Sequence, residues 1–384
     1  MEEALNENRD DSLPPPSISR VPMSSVLERV EKDLRDLWAP PAPGQPLPSR
    51  ACTMNLVVVA SSREVAERYT SIVDDVTRVI PSRSIVITMT PNARDASLEG
   101  EVTAIRSADE AMTSERVVLR ASGAATARIG SAALALVVPE LPTTLIWLGR
   151  VHVDDPVFRE LAQSSDRIVL DTEYTSISSL LALSRWARTS HAKMGIADLA
   201  WTRIAVWQEM CARFFDDPRM RPLAFRVDSL RLVQMSEKGA RLGSEGALLL
   251  AWLATRLHWR LEPLGGALRF RRADGKVVHV ELAAMPRPER VAPLAVASVS
   301  FTASADDMVA KGTVARDFEG DVADVLRYRL EVNLPCAGEQ TVRLGVNRSA
   351  RVLERTLHRP ARDDAFAAAV EFAEKLDDDG AACT

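Results

Sequence analysis

Five histidines are the side chains best suited to bind a metal or transfer a proton in this sequence. They are His152, His191, His258, His279 and His358. None of them forms H-x-x-x-H or H-E-x-x-H, the spacings that place two imidazoles on one helix face for zinc. His279 and Glu281 share one face of a predicted strand, as two metal ligands could, but the sequence offers no third ligand nearby. An exposed polar strand face explains this pair better, and we predict no metal site.

Two serine-containing turns resemble nucleotide-binding or catalytic motifs only in part. Ala60-Ser61-Ser62-Arg63-Glu64 follows the first predicted strand, but it lacks G-x-G-x-x-G, and no G-x-x-x-x-G-K-[ST] occurs anywhere. Ser61 and Ser62 could hold a phosphate at a helix N-terminus, although helix capping is the simpler interpretation. Gly243-Ser244-Glu245-Gly246 lacks the G-x-S-x-G spacing of a nucleophile elbow, and no strand precedes it.

Adjacent carboxylates occur at Asp154-Asp155-Pro156 and Asp216-Asp217-Pro218. An acidic pair before proline is typical of a loop or a helix boundary. General acid–base catalysis needs converging groups with tuned pKa values, and the sequence singles out no such pair. We therefore predict no catalytic residue and no cofactor.

The composition indicates a globular protein without a nucleic-acid or membrane partner. The chain has 384 residues, of which 46% are hydrophobic and 26% charged, enough for two or three domains. A net charge of −5 leaves no strongly basic field for nucleic acid or an anionic membrane. The apolar runs are shorter than the roughly 20 residues that span a bilayer.

The cysteines and the first residues indicate a cytoplasmic protein. Cys52, Cys211, Cys336 and Cys383 are far apart and form no C-x-x-C pair. Scattered cysteines in a chain of this length are typical of a reducing compartment. The acidic, polar start MEEALNENRDD does not resemble a secretory signal.

Residues 1–50 are predicted to be an N-terminal extension. Residues 1–22 are polar and acidic, which indicates disorder. Ser24–Trp38 has the pattern of an amphipathic helix that either packs on the body or reaches a partner. Ala39–Pro48 is rich in proline and is expected to be a semi-rigid linker.

Residues 51–172 are predicted to form an α/β domain. Strands are expected at 53–60, 84–89, 99–106, 115–121, 143–148 and 167–171, with helices at 64–79, 127–138 and 158–163. Strands that alternate with helices favour a mostly parallel sheet covered on both faces. No helix separates 99–106 from 115–121, so this pair is expected to be antiparallel, as an insertion or an edge.

Residues 173–384 are predicted to form an α+β domain with packed helices and an acidic tail. Helices are expected at 176–188, 198–218, 244–258 and 363–376, with Ser244 as an N-cap, and a strand at 224–235. From Trp259 onward, alternating runs predict an antiparallel meander with one exposed face. Gly265-Gly266 and Asp274-Gly275 are typical hairpin turns. The fold class is thus α/β plus α+β.

The helix predicted over Asp198–Pro218 is unusually rich in aromatic residues. Ile204, Trp207, Cys211 and Phe214 form a broad apolar arc, Trp201 lies at its rim, and Asp198 is placed as the N-cap. This arc packs against the chain's own core, or else the first turn, with Asp198, Trp201 and Arg203, joins a partner surface. Asp198 and Arg203 could also simply pair with each other.

Ile196–Trp207, with Phe214-Phe215 after it, resembles the glucose-6-phosphate dehydrogenase assembly protein family, OpcA. Members of that family carry D-L-x-W-T-R-x-x-x-W at this place. Pro142–Leu148 is similar to the family's apolar strand, in which a tryptophan usually stands, here Trp147. Val206 and Gln208 stand where the family often has proline and arginine.

The resemblance implies a non-catalytic protein that binds glucose-6-phosphate dehydrogenase and promotes its assembly or active state, at the entry to the oxidative pentose phosphate pathway. Trp147, Asp198, Trp201, Arg203 and Trp207 are the expected partner-binding residues, because Trp and Arg are enriched at binding hot spots. One alternative is a sugar-phosphate-binding or lactonase-like α/β enzyme of the same pathway. Another is a scaffold that binds a different partner through the exposed face of the meander.

Overall fold

The computed structural model describes residues 23–38, 49–107, 112–173, 175–190, 193–216, 218, 220–237, 239, 242–262, 268–288, 291, 293–305, 308–317, 325–332, 334–343 and 349–378. The disorder predicted for residues 1–22, the linker at 39–48 and the end of the acidic tail lie outside these residues. The helix predicted over Ser24–Trp38 is confirmed as α1, Met23–Asp36.

The first sheet has eight strands and is parallel except at one edge. Its strands are β1 (Ser49–Arg50), β2 (Met54–Ala60), β3 (Ser82–Thr90), β4 (Ser97–Arg106), β5 (Met112–Ser122), β6 (Thr143–Leu148), β7 (Arg167–Leu170) and β8 (Gly195–Asp198). Their order is β1-β5-β3-β2-β6-β7-β8, and β4 pairs antiparallel with β5. The parallel sheet and its antiparallel edge are both confirmed.

Helices cover both faces of this sheet, because successive residues of its strands point to opposite sides. Val57 and Val59 of β2 belong to the core beneath α3 (Ile129–Leu134), α4 (Pro156–Gln163) and α5 (Ile177–Thr189). Leu56 and Val58 pack on the other side with α2, Arg63–Thr77. The helix predicted over 127–138 is shorter than expected, because its start is a 3₁₀ turn, Gly123–Arg128.

The second sheet is mixed. Its strands are β9 (Val227–Met235), β10 (Arg260–Glu262), β11 (Arg269–Arg271), β12 (Val277–Met285), β13 (Val296–Ala305), β14 (Met308–Asp317), β15 (Val325–Val332) and β16 (Leu334–Arg343). The order is β10-β11-β12-β9-β13-β14-β15-β16. Strands β10 and β11 pair antiparallel, as do β11 and β12. The turn predicted at Gly265-Gly266 lies outside the described residues, and Gly275 has a positive φ of 84° in the turn between β11 and β12.

The antiparallel meander predicted from Trp259 onward is interrupted at one point. Strand β9 enters between β12 and β13 and pairs in parallel with β12. Alternation along a strand reports which residues face the core but not which strand is its neighbour. One face of the sheet is open as predicted: Arg231 and Glu281 lie on it, exposed and 3.1 Å apart.

Five helices complete the fold: α6 (Leu199–Arg203), α7 (Ala205–Arg213), α8 (Ser244–Arg256), α9 (Ser349–His358) and α10 (Asp364–Asp378). The single helix predicted over Asp198–Pro218 is therefore two short helices that meet at Ile204. Ser244 is not the N-cap of α8; Gly243 holds that position. None of the helices in the described part of the chain has the length and apolar character needed to cross a bilayer.

The first sheet continues past the domain boundary predicted at residue 172. Helix α5 and strand β8 follow that point, and β8 pairs in parallel with β7. Helix α9, close to the end of the chain, packs beside α2 on the same sheet, where Val352 and Leu353 are buried. The division into 51–172 and 173–384 stays a prediction.

Candidate functional site

A buried ionic network lies where β7 ends. Asp171, the first residue after β7, is 1% exposed. Arg203, the last residue of α6, donates from Nη1 and Nη2 to its two carboxylate oxygens, each at 2.9 Å. The same Nη1 lies 2.9 Å from Oε2 of Glu173. A bidentate pair of this kind is strong and directional, so it fixes α6 against the carboxyl end of β7.

Asp171 also binds α2, because the buried Tyr69 donates its hydroxyl hydrogen to the carboxylate. Burial disfavours the charge of Arg203, but the neighbouring Asp171 and Glu173 outweigh it and raise the pKa of Arg203 above its ordinary value. The guanidinium therefore stays charged in the interior. Strand β7, helix α2 and helix α6 meet at this one pair.

Asp198 occupies the adjacent position, at the end of β8, and caps α6 as predicted. Its Oδ1 accepts the Ala200 N–H at 2.7 Å and the Thr172 hydroxyl hydrogen at 2.9 Å. Its Oδ2 is buried without a hydrogen-bond partner among the described residues. Burial, together with the nearby charge of Asp171, raises the pKa of Asp198 to about 7.

A small cavity of about 100 Å³ adjoins the network and is lined in part by Thr172, Glu173, Ser244 and Glu245. Ser244 donates its hydroxyl hydrogen to the Thr172 carbonyl at 3.0 Å, and Glu245 accepts the backbone N–H of Val296 at 3.2 Å. The start of α8 therefore joins the end of β7 to β13 of the second sheet. Burial raises the pKa of Glu173 to about 7, although Arg203 opposes this shift.

These two raised pKa values predict that stability falls as pH rises. Asp198 and Glu173 would titrate near 3.8 and 4.5 when unfolded, but near 7 in the folded chain. Between these values the folded chain keeps protons that the unfolded chain has released, so their contribution is present at low pH and lost as pH passes 7. We expect Glu173→Gln to reduce the loss of unfolding free energy between about pH 5 and about pH 8.

Urea unfolding of the wild-type chain and of Glu173→Gln at several pH values measures this effect. The difference between the two proteins isolates Glu173 from the other titrating groups. Identical pH slopes would show that Glu173 is ionised in the folded chain at neutral pH.

Four of the five predicted partner-binding residues are buried, and Arg203 is largely buried. The exposed fraction is 4% for Trp147 and Trp201 and 1% for Asp198 and Trp207, while the side chain of Arg203 is 10% exposed. Trp201, which was predicted at the rim of the apolar arc, is thus buried in the core. Among the described contacts, Arg203 pairs with Asp171 and Glu173 and not with Asp198. The partner-binding role of the five residues stays a prediction.

The three tryptophans point into different parts of the core. Trp147 packs edge to face on Phe158, with ring centroids 5.0 Å apart. Trp201 donates its indole N–H to Asp363 at 3.0 Å, and Asp363 in turn accepts the N–H of Phe366 at the start of α10.

The third tryptophan, Trp207, faces the second sheet, where the Arg316 guanidinium lies 5.9 Å from its ring. Of the five predicted partner-binding residues, only Asp198 and Arg203 therefore lie at the same site.

Sequence reasoning missed Tyr69, Asp171 and Glu173 as members of this site. Asp171 and Glu173 directly follow a buried strand, and carboxyl ends of parallel strands are where α/β proteins collect functional groups. Their position at the carboxyl end of a predicted parallel strand is the feature by which they could have been found. Tyr69 could not have been found in this way, because a tyrosine on the buried face of α2 cannot be distinguished from an ordinary core residue.

The other motifs have structural roles. Ser62 caps α2 by accepting the Val65 N–H, and Asp155 caps α4 by accepting the N–H of Val157. Glu281, which shares a strand face with His279, pairs with Arg231. Within the described residues, no group of three His, Cys, Asp or Glu side chains could hold a metal ion.

The fold and the network define an α/β plus α+β protein in which buried charges tie a parallel sheet to a mixed one. Two family models match the chain. One, described as the glucose-6-phosphate dehydrogenase subunit N-terminal domain, matches residues 73–185. The other, described as the C-terminal domain of that subunit, matches residues 194–370. The chain belongs to the OpcA family, which confirms the resemblance carried by Ile196–Trp207.

Curated relatives have the same family name. A putative OxPP cycle protein OpcA of Synechococcus elongatus is 33% identical over 207 residues, which are 50% of this chain and 45% of the relative. Another, of Nostoc punctiforme, is 30% identical over 181 residues, 45% of this chain and 38% of the relative. The chain spans less than half the length of the curated relatives that it matches.

Solved structures are similar only at a distance. An oxidoreductase from Sinorhizobium meliloti has 11% identity and a TM-score of 0.45, covering 84% of this chain and 96% of that one. Levoglucosan dehydrogenase in complex with NADH has 10% identity and a TM-score of 0.42, covering 83% and 90%. Similarity at this level carries no argument about activity.

Proposed function

We propose that the protein binds glucose-6-phosphate dehydrogenase and acts as a non-catalytic assembly factor and activator in the oxidative pentose phosphate pathway. The observation that carries this proposal is the pair of family models, because both are described as domains of a glucose-6-phosphate dehydrogenase subunit and together they match parts of both sheets. The names of the curated relatives place those proteins in the same pathway. We place the protein in the cytoplasm with its partner.

An activator without chemistry of its own must bind the active form of the enzyme more tightly than the inactive one. Coupling of this kind is typically worth about 1–3 kcal/mol, which corresponds to about 5–150-fold in an equilibrium constant. Trp147, Asp198, Trp201, Arg203 and Trp207 are the predicted partner-binding residues, and their side chains are largely buried. Asp198, Trp201, Arg203 and Trp207 would therefore support the contacted surface by holding α6, α7 and α10 in place, whereas Trp147 packs on Phe158 of α4.

The test is the specific activity of the cognate dehydrogenase with and without this protein, together with the mass of the mixture in solution. We expect a stable complex whose activity rises by at least about 5-fold and saturates with added protein. A mixture that stays at the masses of its components, with unchanged kcat and KM over a wide concentration range, would overturn the proposal.

A further inference from the structure

A large cavity lies at the C-terminal end of α8, away from the buried ionic network. Its volume is about 800 Å³, within the range of about 300–1,000 Å³ that small-molecule sites occupy. Its described lining comes from α8, β10, α10 and two connecting turns, and consists of Ala254, Thr255, His258, Trp259, Arg260, Leu261, Ala273, Phe372 and Lys375. No role assigned above uses this cavity.

The lining combines an apolar floor with groups that donate hydrogen bonds. Leu261 and Phe372 contribute apolar surface, while Arg260 and Lys375 contribute positive charge. Trp259 is 4% exposed, and its buried indole N–H has no hydrogen-bond partner among the described residues. A buried donor without a partner costs free energy, and a bound acceptor would compensate for it once the indole turns to face the cavity.

The positive charge of the cavity is poorly neutralised. Arg260 of β10 lies directly opposite Arg271 of β11, and like charges in that register repel each other. Glu262 pairs with Arg271, and no ion pair of Arg260 is found in the described part of the chain. Lys375 lies 3.6 Å from Glu371, but both side chains are at least 60% exposed, so this pair is weak.

The backbone is strained at the rim of the cavity. His258 has a φ of 56°, the left-handed conformation that glycine usually supplies just after a helix. The turn is completed by the Trp259 N–H, which donates to the Ala254 carbonyl at 2.8 Å. The imidazole stacks on Phe225, which is itself 54% exposed, at 5.7 Å between centroids. This left-handed turn ends α8 and leaves the His258 imidazole at the rim of the cavity.

We propose that this cavity binds a small organic phosphate. Arg260 and Lys375 would neutralise the phosphate, the Trp259 N–H would donate to it, and the apolar floor would cover the uncharged part of the ligand. Two cations and several neutral donors in one cavity match a dianion better than a single carboxylate. The proposed binding site is inferred from the cavity and its lining alone. The choice of glucose 6-phosphate as the probe rests on the proposed function.

Calorimetric titration of the full chain alone, without the dehydrogenase, tests the proposal. We expect glucose 6-phosphate to bind with a Kd below about 1 mM, and glucose or inorganic phosphate to bind at least about 10-fold more weakly. Arg260→Gln and Lys375→Gln should each weaken binding about 10-fold. Their matched controls are Arg63→Gln and Lys32→Gln, which alter exposed i,i+4 ion pairs on α2 and α1. These controls should leave the affinity for glucose 6-phosphate unchanged. No heat up to about 10 mM glucose 6-phosphate, or equal losses in the controls, would overturn the proposal.

His258→Gly separates binding from folding. Glycine relieves the left-handed strain, so we expect a higher unfolding midpoint together with a several-fold weaker affinity for glucose 6-phosphate. A higher unfolding midpoint with unchanged affinity for glucose 6-phosphate would show that His258 does not contribute to binding. Because the measurement uses the chain alone, failure to bind the phosphate leaves the dehydrogenase complex untouched, and loss of that complex leaves this site untouched.

Discussion

Replacing Arg203 with alanine lowers the free energy of unfolding by about 3–5 kcal/mol, the cost of removing one partner of a buried ion pair. The substitution leaves Asp171 and Glu173 without the cation that faces both of them at 2.9 Å. Asp171 is 1% exposed and cannot regain its hydration without opening the interface of α2, β7 and α6. A single unpaired charge there would therefore loosen three elements together.

Urea unfolding of Arg203→Ala against the wild-type chain measures the loss. Arg63→Ala is the matched control, because Arg63 forms an exposed pair with Glu67 and should cost less than about 1 kcal/mol. The double variant Arg203→Met, Asp171→Leu should recover part of the loss, since it removes both charges of the pair. A loss for Arg203→Ala no larger than that of Arg63→Ala would mean that water reaches the pair.

The same variant tests the predicted partner-binding role. Activation of the dehydrogenase should be measured under conditions in which the Arg203→Ala variant is still folded. The loss of activation is then compared with the decrease in the folded fraction. Activation that falls further than the folded fraction supports a role for Arg203 at the partner surface. Activation that falls in proportion assigns Arg203 to the core of the protein alone.

Local chemistry could be predicted where it depends on a few neighbouring residues. Asp198 caps α6 as expected, and β6 has the predicted bounds Thr143–Leu148, because a cap and a buried strand are both short-range patterns. The split of the Trp-rich helix at Ile204 was not predictable. It follows from two distant demands: Arg203 must meet Asp171, while Phe214 must pack on Phe301, 4.5 Å away.

Long-range pairing explains the other errors. Strand β9 pairs in parallel with β12 across a connection that contains α8, β10 and β11, and the sequence of β9 does not indicate which strand is its neighbour. Likewise, the sequence suggested Asp198 as a partner for Arg203, but its partner is Asp171, 32 residues earlier. Apolar periodicity also cannot show whether a helix face packs in the chain's own core or against a partner, because both need the same types of residue on that face.

The second large effect is expected at Trp207, which is 1% exposed. Trp207→Ala should lower the free energy of unfolding by about 3–5 kcal/mol, because it removes a large buried side chain and leaves a cavity that the sheet cannot fill. Arg316, which lies 5.9 Å from the ring and donates from Nε to the Val296 carbonyl at 3.0 Å, would also lose its aromatic neighbour. That is a large share of the roughly 5–15 kcal/mol that stabilises a typical domain.

Trp186→Ala is the matched control, because Trp186 is a half-buried tryptophan of α5 whose ring meets Phe158 at 5.9 Å. Its loss should be clearly smaller, and Trp207→Phe should also be milder, since an aromatic ring still fills most of the space. These comparisons decide the role of Trp207. If Trp207→Ala kept its unfolding free energy but no longer formed the complex, the tryptophan would contact the dehydrogenase directly, and the α7 surface would have to open on binding. A large loss of stability, with complex formation following the folded fraction, keeps Trp207 in the core.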